Sequence, residues 1–566
     1  MFLNTAISPL LLLLSSSLAE ALPYGDGHDA NVDSLDWKPC DLEFPDTVKA
    51  AIKVPIDCAT LQVPLDYTNP KSGKLDLQLL KVNATKEPVE GSVIFNPGGP
   101  GNSGVEEVAQ QGPLYRDTLG GHYNIIGFDA RGTGRTIPFI CNPELLASGL
   151  GSDSGALSRR NSPYSALPEQ LDVYELLKKN WNTTAKYIET CVETQKENAT
   201  FYGTAFVARD MLAIVDALKE DGLLRFWGRS YSTILGQTFA AMFPDRVGRL
   251  LMDSTLTPDD YYRGGWLSAT RDVEATLSNY FNQCIEAGPT LCPLANYSGS
   301  DTTSKSLMNA LSEVFEYLRE NPILLAEEIQ AIQPEWWFPP GSMTVYYKLK
   351  ASIMNGIFSP AAFGGVTKTI SDALARNWTT YTDPSTIPDI PGAENVSLAD
   401  LTWSIGLDRF HGIACGDQAY RAKSPEEMYS LIQAQSAQGS FSDAFSPKVW
   451  VCAQWPFDAA EKPKGNWSEI TTNFPVLFIN SRFDPITPLS GAWDASSRFK
   501  GSRLLVHEGH GHGIMNHRSN CTVKAIEDYF SKGELPEVGT TCKPNMNAFK
   551  QIAAGEGSGR DSESPE

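Results

Sequence analysis

Leu223-Leu224-Arg225-Phe226-Trp227-Gly228-Arg229-Ser230-Tyr231-Ser232-Thr233-Ile234-Leu235 is the stretch that decides the fold. An apolar run (Leu223, Leu224, Phe226) leads into a glycine turn, and residues 234–242 read as a helix. Strand, sharp turn and helix with a serine at the bend is the pattern of a nucleophile elbow, which lifts a hydroxyl above a helix N-terminus. The consensus is Gly-x-Ser-x-Gly, and here Ser232 stands where the second glycine belongs. A serine hydroxyl is a weak nucleophile at neutral pH, so the reading requires a base, an orienting carboxylate and oxyanion donors elsewhere in the chain.

Each of these has a candidate. Downstream, the apolar run 476–480 opens into Ser481-Arg482-Phe483-Asp484-Pro485-Ile486-Thr487-Pro488, placing Asp484 in a loop after a buried strand. A further strand, 504–506, runs into His507-Glu508-Gly509-His510-Gly511-His512-Gly513. The order Ser, Asp, His is that of α/β-hydrolases, unlike the orders of the chymotrypsin and subtilisin folds. Spacing alone leaves the base open between His510 and His512. Upstream, Asn96-Pro97-Gly98-Gly99-Pro100-Gly101 follows an early strand, and its glycines allow N–H groups to be aimed inward. The expected oxyanion donors are the amides of Gly99 and Tyr231. A phosphate-binding reading of this loop fails for want of Gly-Lys-Ser/Thr or Gly-x-Gly-x-x-Gly.

Four of the seven histidines crowd into 507–517. The His-x-x-His-x-His spacing offers ligands, but no nearby carboxylate completes a recognisable set and the segment follows a strand instead of forming a helix face. No metal and no cofactor are expected.

The rhythm of the chain fixes the rest of the architecture. Residues 75–82, 92–95, 123–128, 223–226 and 249–252 read as strands, and 206–218 carries apolar residues at helical spacing. Such alternation implies a mostly parallel α/β sheet with reactive loops at the strand C-terminal ends. After Asp253 the rhythm gives way to a helix-rich, aromatic stretch, and it resumes near Phe474. The expected organisation is a signal peptide (1–21), the first part of an α/β-hydrolase core (22–257), a large helical cap inserted between nucleophile and acid (258–455), the C-terminal part of the core (456–553) and a disordered tail (554–566). The cap aromatics, including Trp336-Trp337-Phe338, either line a pocket or seal cap against body.

Composition narrows the setting. The 566 residues are 42% hydrophobic, enough for a large core, and 67 acidic against 46 basic residues give a net charge of −21. That balance argues against nucleic acid or an anionic membrane as partner. The apolar run 7–14 followed by Ala19-Glu20-Ala21 resembles a secretory leader with a small-x-small cleavage site. Ten cysteines, none in a Cys-x-x-Cys, pair in order as Cys40–Cys58, Cys141–Cys191, Cys284–Cys292, Cys415–Cys452 and Cys521–Cys542 if neighbours bond. Sequons occur at Asn83, Asn182, Asn198, Asn296, Asn377, Asn395, Asn466 and Asn520. A secreted glycoprotein is the reading.

At this point a resemblance becomes specific. The chain resembles the secreted tripeptidyl-aminopeptidase branch of α/β-hydrolases, relatives of proline iminopeptidase, with that branch's C-terminal segment. The matching residues are Asn96-Pro-Gly-Gly-Pro-Gly101, Gly127-Phe-Asp-Ala-Arg-Gly-Thr-Gly-Arg135 and the elbow with Phe243-Pro-Asp-Arg246. To these are added Ile413-Ala-Cys-Gly-Asp417, Asp484-Pro-Ile-Thr-Pro488, and Gly511-His512-Gly513 followed by Cys521. The resemblance implies Ser230 as nucleophile, Asp484 as acid and His512 as base. It also implies an exopeptidase, which must recognise a free α-ammonium, and Glu107 and Asp417 are the carboxylates proposed for that task. The Asp129–Arg131 segment is read as a structural brace. Two positions depart from the family pattern, Ser232 in the elbow and Ser254 after Asp253, where relatives usually carry glycine.

The expected function is therefore a secreted serine hydrolase acting through an acyl-enzyme on a small peptide. The alternative enzyme is an esterase, lactonase or amidase acting on a small metabolite, because hydrolases of this fold change substrate through their caps. The non-enzymatic alternative is a binding protein on a dead scaffold.

Overall fold

The protein is described by a computed structural model covering residues 34–69, 71–141, 173–327, 343–383, 385, 407–463 and 467–555. The expected leader (1–21), Asn395, Asn466, the aromatic run 336–338 and all but the first two residues of the expected tail lie outside the described residues.

One ten-stranded sheet organises the chain, in the order β1-β2-β3-β5-β4-β6-β7-β8-β9-β10. The strands are β1 (Lys38–Pro39), β2 (Asp57–Pro64), β3 (Lys74–Val82), β4 (Ser92–Asn96), β5 (Asn124–Phe128), β6 (Leu224–Arg229), β7 (Val247–Asp253), β8 (Leu477–Phe483), β9 (Arg503–His510) and β10 (Thr541–Cys542). β1, β2 and β3 are antiparallel to their neighbours, and every pairing from β5 to β10 is parallel. Parallel strands must be covered on both faces, and β4 is accordingly buried at all five positions.

The helices that position the site are α1 (Gly104–Thr118), α2 (Thr204–Leu218), α3 (Tyr231–Met242), α4 (Pro258–Arg263), α5 (Val273–Ala287), α6 (Val345–Gly356), α7 (Leu407–Asp417), α8 (Leu489–Ser497) and α9 (Asn520–Lys532). Val105, Val108 and Tyr115 of α1 share one core with Ile526, Tyr529 and Phe530 of α9 on one side of the sheet. Met211 and Ile214 of α2, Leu235 and Phe239 of α3, and Ala495 of α8 fill the core on the other. Between β7 and β8 the chain leaves the sheet, and α4 to α7 belong to a third, separate core that meets the elbow at Tyr231 and Ile234. Tyr261 and Trp266 are buried in that core; Tyr261 packs on Tyr231 of the body, whereas Trp266 packs on Tyr261, Phe410 and Phe445 within the inserted segment.

All ten cysteines are joined in the five sequential pairs, and none is free. Asn83, Asn182, Asn296, Asn377 and Asn520 are exposed, and Asn198 is half-buried. Among the described residues no helix is long and apolar enough to cross a membrane.

Candidate active site

Ser230 sits between β6 and α3 with φ 60° and ψ −129°, a conformation an ordinary residue avoids. Three things hold it there. Its N–H donates to the Asp253 carbonyl at 2.9 Å, and its carbonyl accepts from Thr233 N and from Thr233 Oγ1. Gly228 provides the clearance, since a Cβ on it would lie 2.6 Å from the Ser232 carbonyl oxygen. Ser232 is fully buried at the second glycine position, and its hydroxyl donates to Asn96 Oδ1. The same Oδ1 accepts the Gly98 N–H at 3.1 Å, so the replaced glycine has become a tie between the elbow and the glycine loop.

That loop presses directly on the turn. Gly98 has φ +90°, and a Cβ there would come within 2.5 Å of the Arg229 carbonyl and 3.0 Å of both Ser230 Cβ and Tyr231 N. Only glycine fits. Among the described residues no acceptor takes the N–H of Gly99 or of Tyr231. Tyr231 also begins α3, where the helix dipole favours negative charge.

Asp484 follows β8 and is fully buried. It accepts from His512 Nδ1 at 2.9 and 3.1 Å, from the N–H groups of Ile486 and Thr487, and from Thr487 Oγ1 at 2.7 Å. Burial pushes its pKa up, but the His512 charge and hydrogen bond, with the two amides, outweigh that and hold it below the ordinary value. His512 lies between Gly511 and Gly513, both at positive φ, and keeps a partly open side chain at 13% exposure. Its loop is anchored to the same strand end that holds the serine, since Gly513 N donates to Ser254 Oγ at 2.8 Å and Ile514 N to Asp253 Oδ1 at 3.1 Å. Ser254, the second departure, has φ +59°; its hydroxyl makes a contact that a glycine there could not.

The other histidines of the cluster have structural partners. His510 is buried, with Nε2 on the Ile357 carbonyl and Nδ1 on Asn279 of α5, and burial followed by His517 repulsion pushes its pKa down to about 3. His507 meets Thr522 and His517 meets the Met546 carbonyl. Spacing left His510 and His512 equivalent, and the structure gives the carboxylate to His512.

Glu107 is taken up by Arg229 at 3.1 Å and by the Tyr115 hydroxyl at 2.5 Å. Asp417 is buried and accepts from Thr204 and Tyr261. Both carboxylates expected to meet a substrate ammonium are thus engaged within the chain. Asp129 and Arg131 brace separately. Asp129 receives Ser103 Oγ and Arg135 N, whereas Arg131 pairs with the buried Asp210 of α2. Sequence reading passed over Thr487, Asn279 and Phe358, whose carbonyl accepts the His512 N–H at 2.7 Å. Thr487 follows Asp484 by three residues and could have been found as a turn cap; the other two are remote in sequence and carry no local signal.

Residues 91–290 match the family described as alpha/beta hydrolase fold, and residues 437–542 match the family described as TAP-like protein. The chain has the α/β-hydrolase fold and carries a TAP-like segment. This hydrolase is 26% identical over 526 residues to a protein named serine protease Hip1 from Mycobacterium tuberculosis, covering 90% of this chain and 91% of that one. It is 22% identical to a tripeptidyl aminopeptidase of Streptomyces lividans, covering 90% of this chain and 87% of that one. It is 25% identical to a protein named carboxylesterase B from M. tuberculosis, covering 90% of each.

Proposed function

We propose that this α/β-hydrolase is a secreted serine exopeptidase that releases N-terminal residues or short peptides through an acyl-enzyme. Ser230 Oγ attacks the acyl carbon and passes its proton to His512. Asp484 keeps the imidazole oriented through Nδ1 and stabilises the imidazolium that forms. The N–H groups of Gly99 and Tyr231 receive the oxyanion. Collapse expels the amine, which takes the proton from His512; water then enters by the same route in reverse and frees Ser230.

The observation that carries this reading is the Asp484–His512 pair on a loop bonded to Asp253 and Ser254, the strand end that also holds the Ser230 amide. Peptidase chemistry is supported by the relatives named serine protease and tripeptidyl aminopeptidase. Secretion is supported by the five disulfides, which persist in oxidising compartments, and by the leader-like 1–21. We take 258–455 as the cap that shapes the substrate site. An esterase reading is favoured by one observation, the relative named carboxylesterase B matched over the same extent.

Purified protein assayed on aminoacyl- and tripeptidyl-arylamides beside simple aryl esters separates the two. The expected result is turnover of arylamides with a free amino terminus, lost in Ser230→Ala. Rapid ester cleavage with no unblocked arylamide turned over would overturn the peptidase assignment.

A further inference from the structure

Asp417 ends α7 in the inserted segment, yet its side chain is spent on the elbow. Oδ1 accepts the Thr204 N–H at 3.0 Å. Oδ2 accepts the Thr204 hydroxyl at 2.5 Å and the Tyr261 hydroxyl at 2.9 Å. Because Thr204 Oγ1 gives its proton to Asp417, it is left to accept from the Tyr231 hydroxyl, 2.5 Å away. The chain of donors therefore runs Tyr231 to Thr204 to Asp417. Tyr231 is the residue after the nucleophile, and all four side chains in this network are buried.

This arrangement leaves Asp417 no face for a ligand. The carboxylate is 1% exposed, and three donors already occupy it. Such a group keeps a fixed geometry at the cost of desolvation, which pushes its pKa up to about 6 against the pull of its donors. What the network fixes is the ring of Tyr231, and with it the first turn of α3. The Tyr231 ring is also held from the side by the Tyr261 ring, with centroids 5.5 Å apart.

We propose that Asp417 is a positioning residue which, through Thr204, holds the Tyr231 side chain so that the Tyr231 N–H faces the oxygen of the acyl group under attack. The proposal rests on the hydrolase reading above and moves Asp417 from substrate binding to oxyanion geometry. It also gives the inserted segment a role in the chemical step, because α7 reaches the elbow through this carboxylate.

The hydroxyl direction decides the test. In Asp417→Asn the amide nitrogen facing Thr204 is a donor, so the Thr204 hydroxyl loses the acceptor for its proton and the donor order from Tyr231 through Thr204 to residue 417 is broken. Thr204→Val removes the relay, Tyr231→Phe removes only its far end, and Thr204→Ser keeps it. The full-length protein and these variants are assayed on a free-amino tripeptidyl-arylamide and an aryl ester, after each variant is shown to be folded by its thermal melt and wild type is shown to be labelled by a fluorophosphonate on Ser230. Asp417→Asn, Thr204→Val and Tyr231→Phe are expected to lower kcat about 10-fold on both substrates with KM nearly unchanged, a fraction of the roughly 10²–10³-fold cost of losing an oxyanion donor outright. Thr204→Ser is expected to restore kcat to near wild type. The double variant Asp417→Asn/Tyr231→Phe is expected to be no slower than the worse single variant, since both act through one network.

A labelled, active wild type whose Tyr231→Phe and Thr204→Val variants keep their kcat would overturn the proposal alone. A rise in KM confined to the free-amino substrate in Asp417→Asn would also overturn it and return Asp417 to ammonium binding. A wild type with neither turnover nor labelling at Ser230 would overturn the hydrolase reading and this proposal with it.

Discussion

The serine turn follows β6 and the histidine loop follows β9, with β7 and β8 between them in the sheet, and the two are built on different physical terms. The turn is made within the sheet. β6, Gly228, Ser230 at φ 60° and α3 are consecutive in the chain, and the remote contacts on the bend, from Asp253, Asn96 and Gly98, come from β7, the end of β4 and the loop that follows it. The histidine loop is held from a distance. Phe358 accepts the His512 N–H, Ile357 and Asn279 fix His510, and Ser359 donates to Asn516, which in turn donates to the His512 carbonyl. These partners come from the inserted segment, more than 150 residues away for His510 and Ile357. Ser230 is thus held mainly by the sheet, whereas His512 is held by the sheet and insert together.

The two regions differ most at the two histidines. His512→Ala removes the proposed base and is expected to lower kcat about 10⁴-fold or more with the melt almost unchanged. His510→Ala is expected to cost far less in kcat but to lower the melting temperature, because Asn279 and the Ile357 carbonyl lose their partner at about 1–3 kcal/mol. Kinetics and thermal unfolding on the pair check both. A dead His510→Ala beside an active His512→Ala would reverse the assignment.

Acid should separate the two regions next. His510 is pushed down to about 3 and His507 to about 4, first by burial and then by His517, while histidine in the unfolded chain titrates near 6.5. Between these values the unfolded chain binds protons that the folded chain cannot, so stability is fully present above about pH 6.5 and falls as pH drops toward 3. Each such histidine contributes a slope of up to about 1.4 kcal/mol per pH unit. Denaturant unfolding of His510→Gln against pH is expected to show a shallower acid slope than wild type; an unchanged slope would mean that His510 is not held neutral by the insert.

The smallest effects belong to the two serines that replace glycines. Ser232→Ala should lose the tie to Asn96 and about 1 kcal/mol of stability, with a few-fold drop in kcat if the glycine loop loosens. Ser254→Gly should be close to neutral, because relief of φ +59° offsets loss of the Gly513 hydrogen bond. Melts and kcat on both variants check the order; a larger loss in Ser254→Gly would show that its hydroxyl dominates its strain.

Much of this was legible in the sequence because the features concerned are local. A strand ending in Gly228-Arg229-Ser230, the glycine loop at 96–101, and the order of Ser230, Asp484 and His512 all depend on neighbours in the chain. Sequential cysteine pairing was legible for the same reason. The choice between His510 and His512 needed the family resemblance, because both follow one strand and only contacts with Asp484, Asn279 and Ile357 tell them apart. Asp417 and Glu107 were proposed for an ammonium on charge alone. Their contacts, Thr204 and Tyr261 on Asp417 and Arg229 and Tyr115 on Oε1 of Glu107, come from residues 8 or more positions away in sequence and carry no local signal. The same blindness applied to Ser232, whose hydroxyl registers as a defect until Asn96 is placed beside it.

Everything proposed for this site depends on Ser230 carrying the acyl group. The most direct measurement is peptide mapping of the protein after brief acid quench with a slowly deacylating arylester or a fluorophosphonate. One adduct is expected, on Ser230, absent from Ser230→Ala and strongly slowed in His512→Ala. An adduct on another residue, or undiminished turnover by Ser230→Ala, would contradict it.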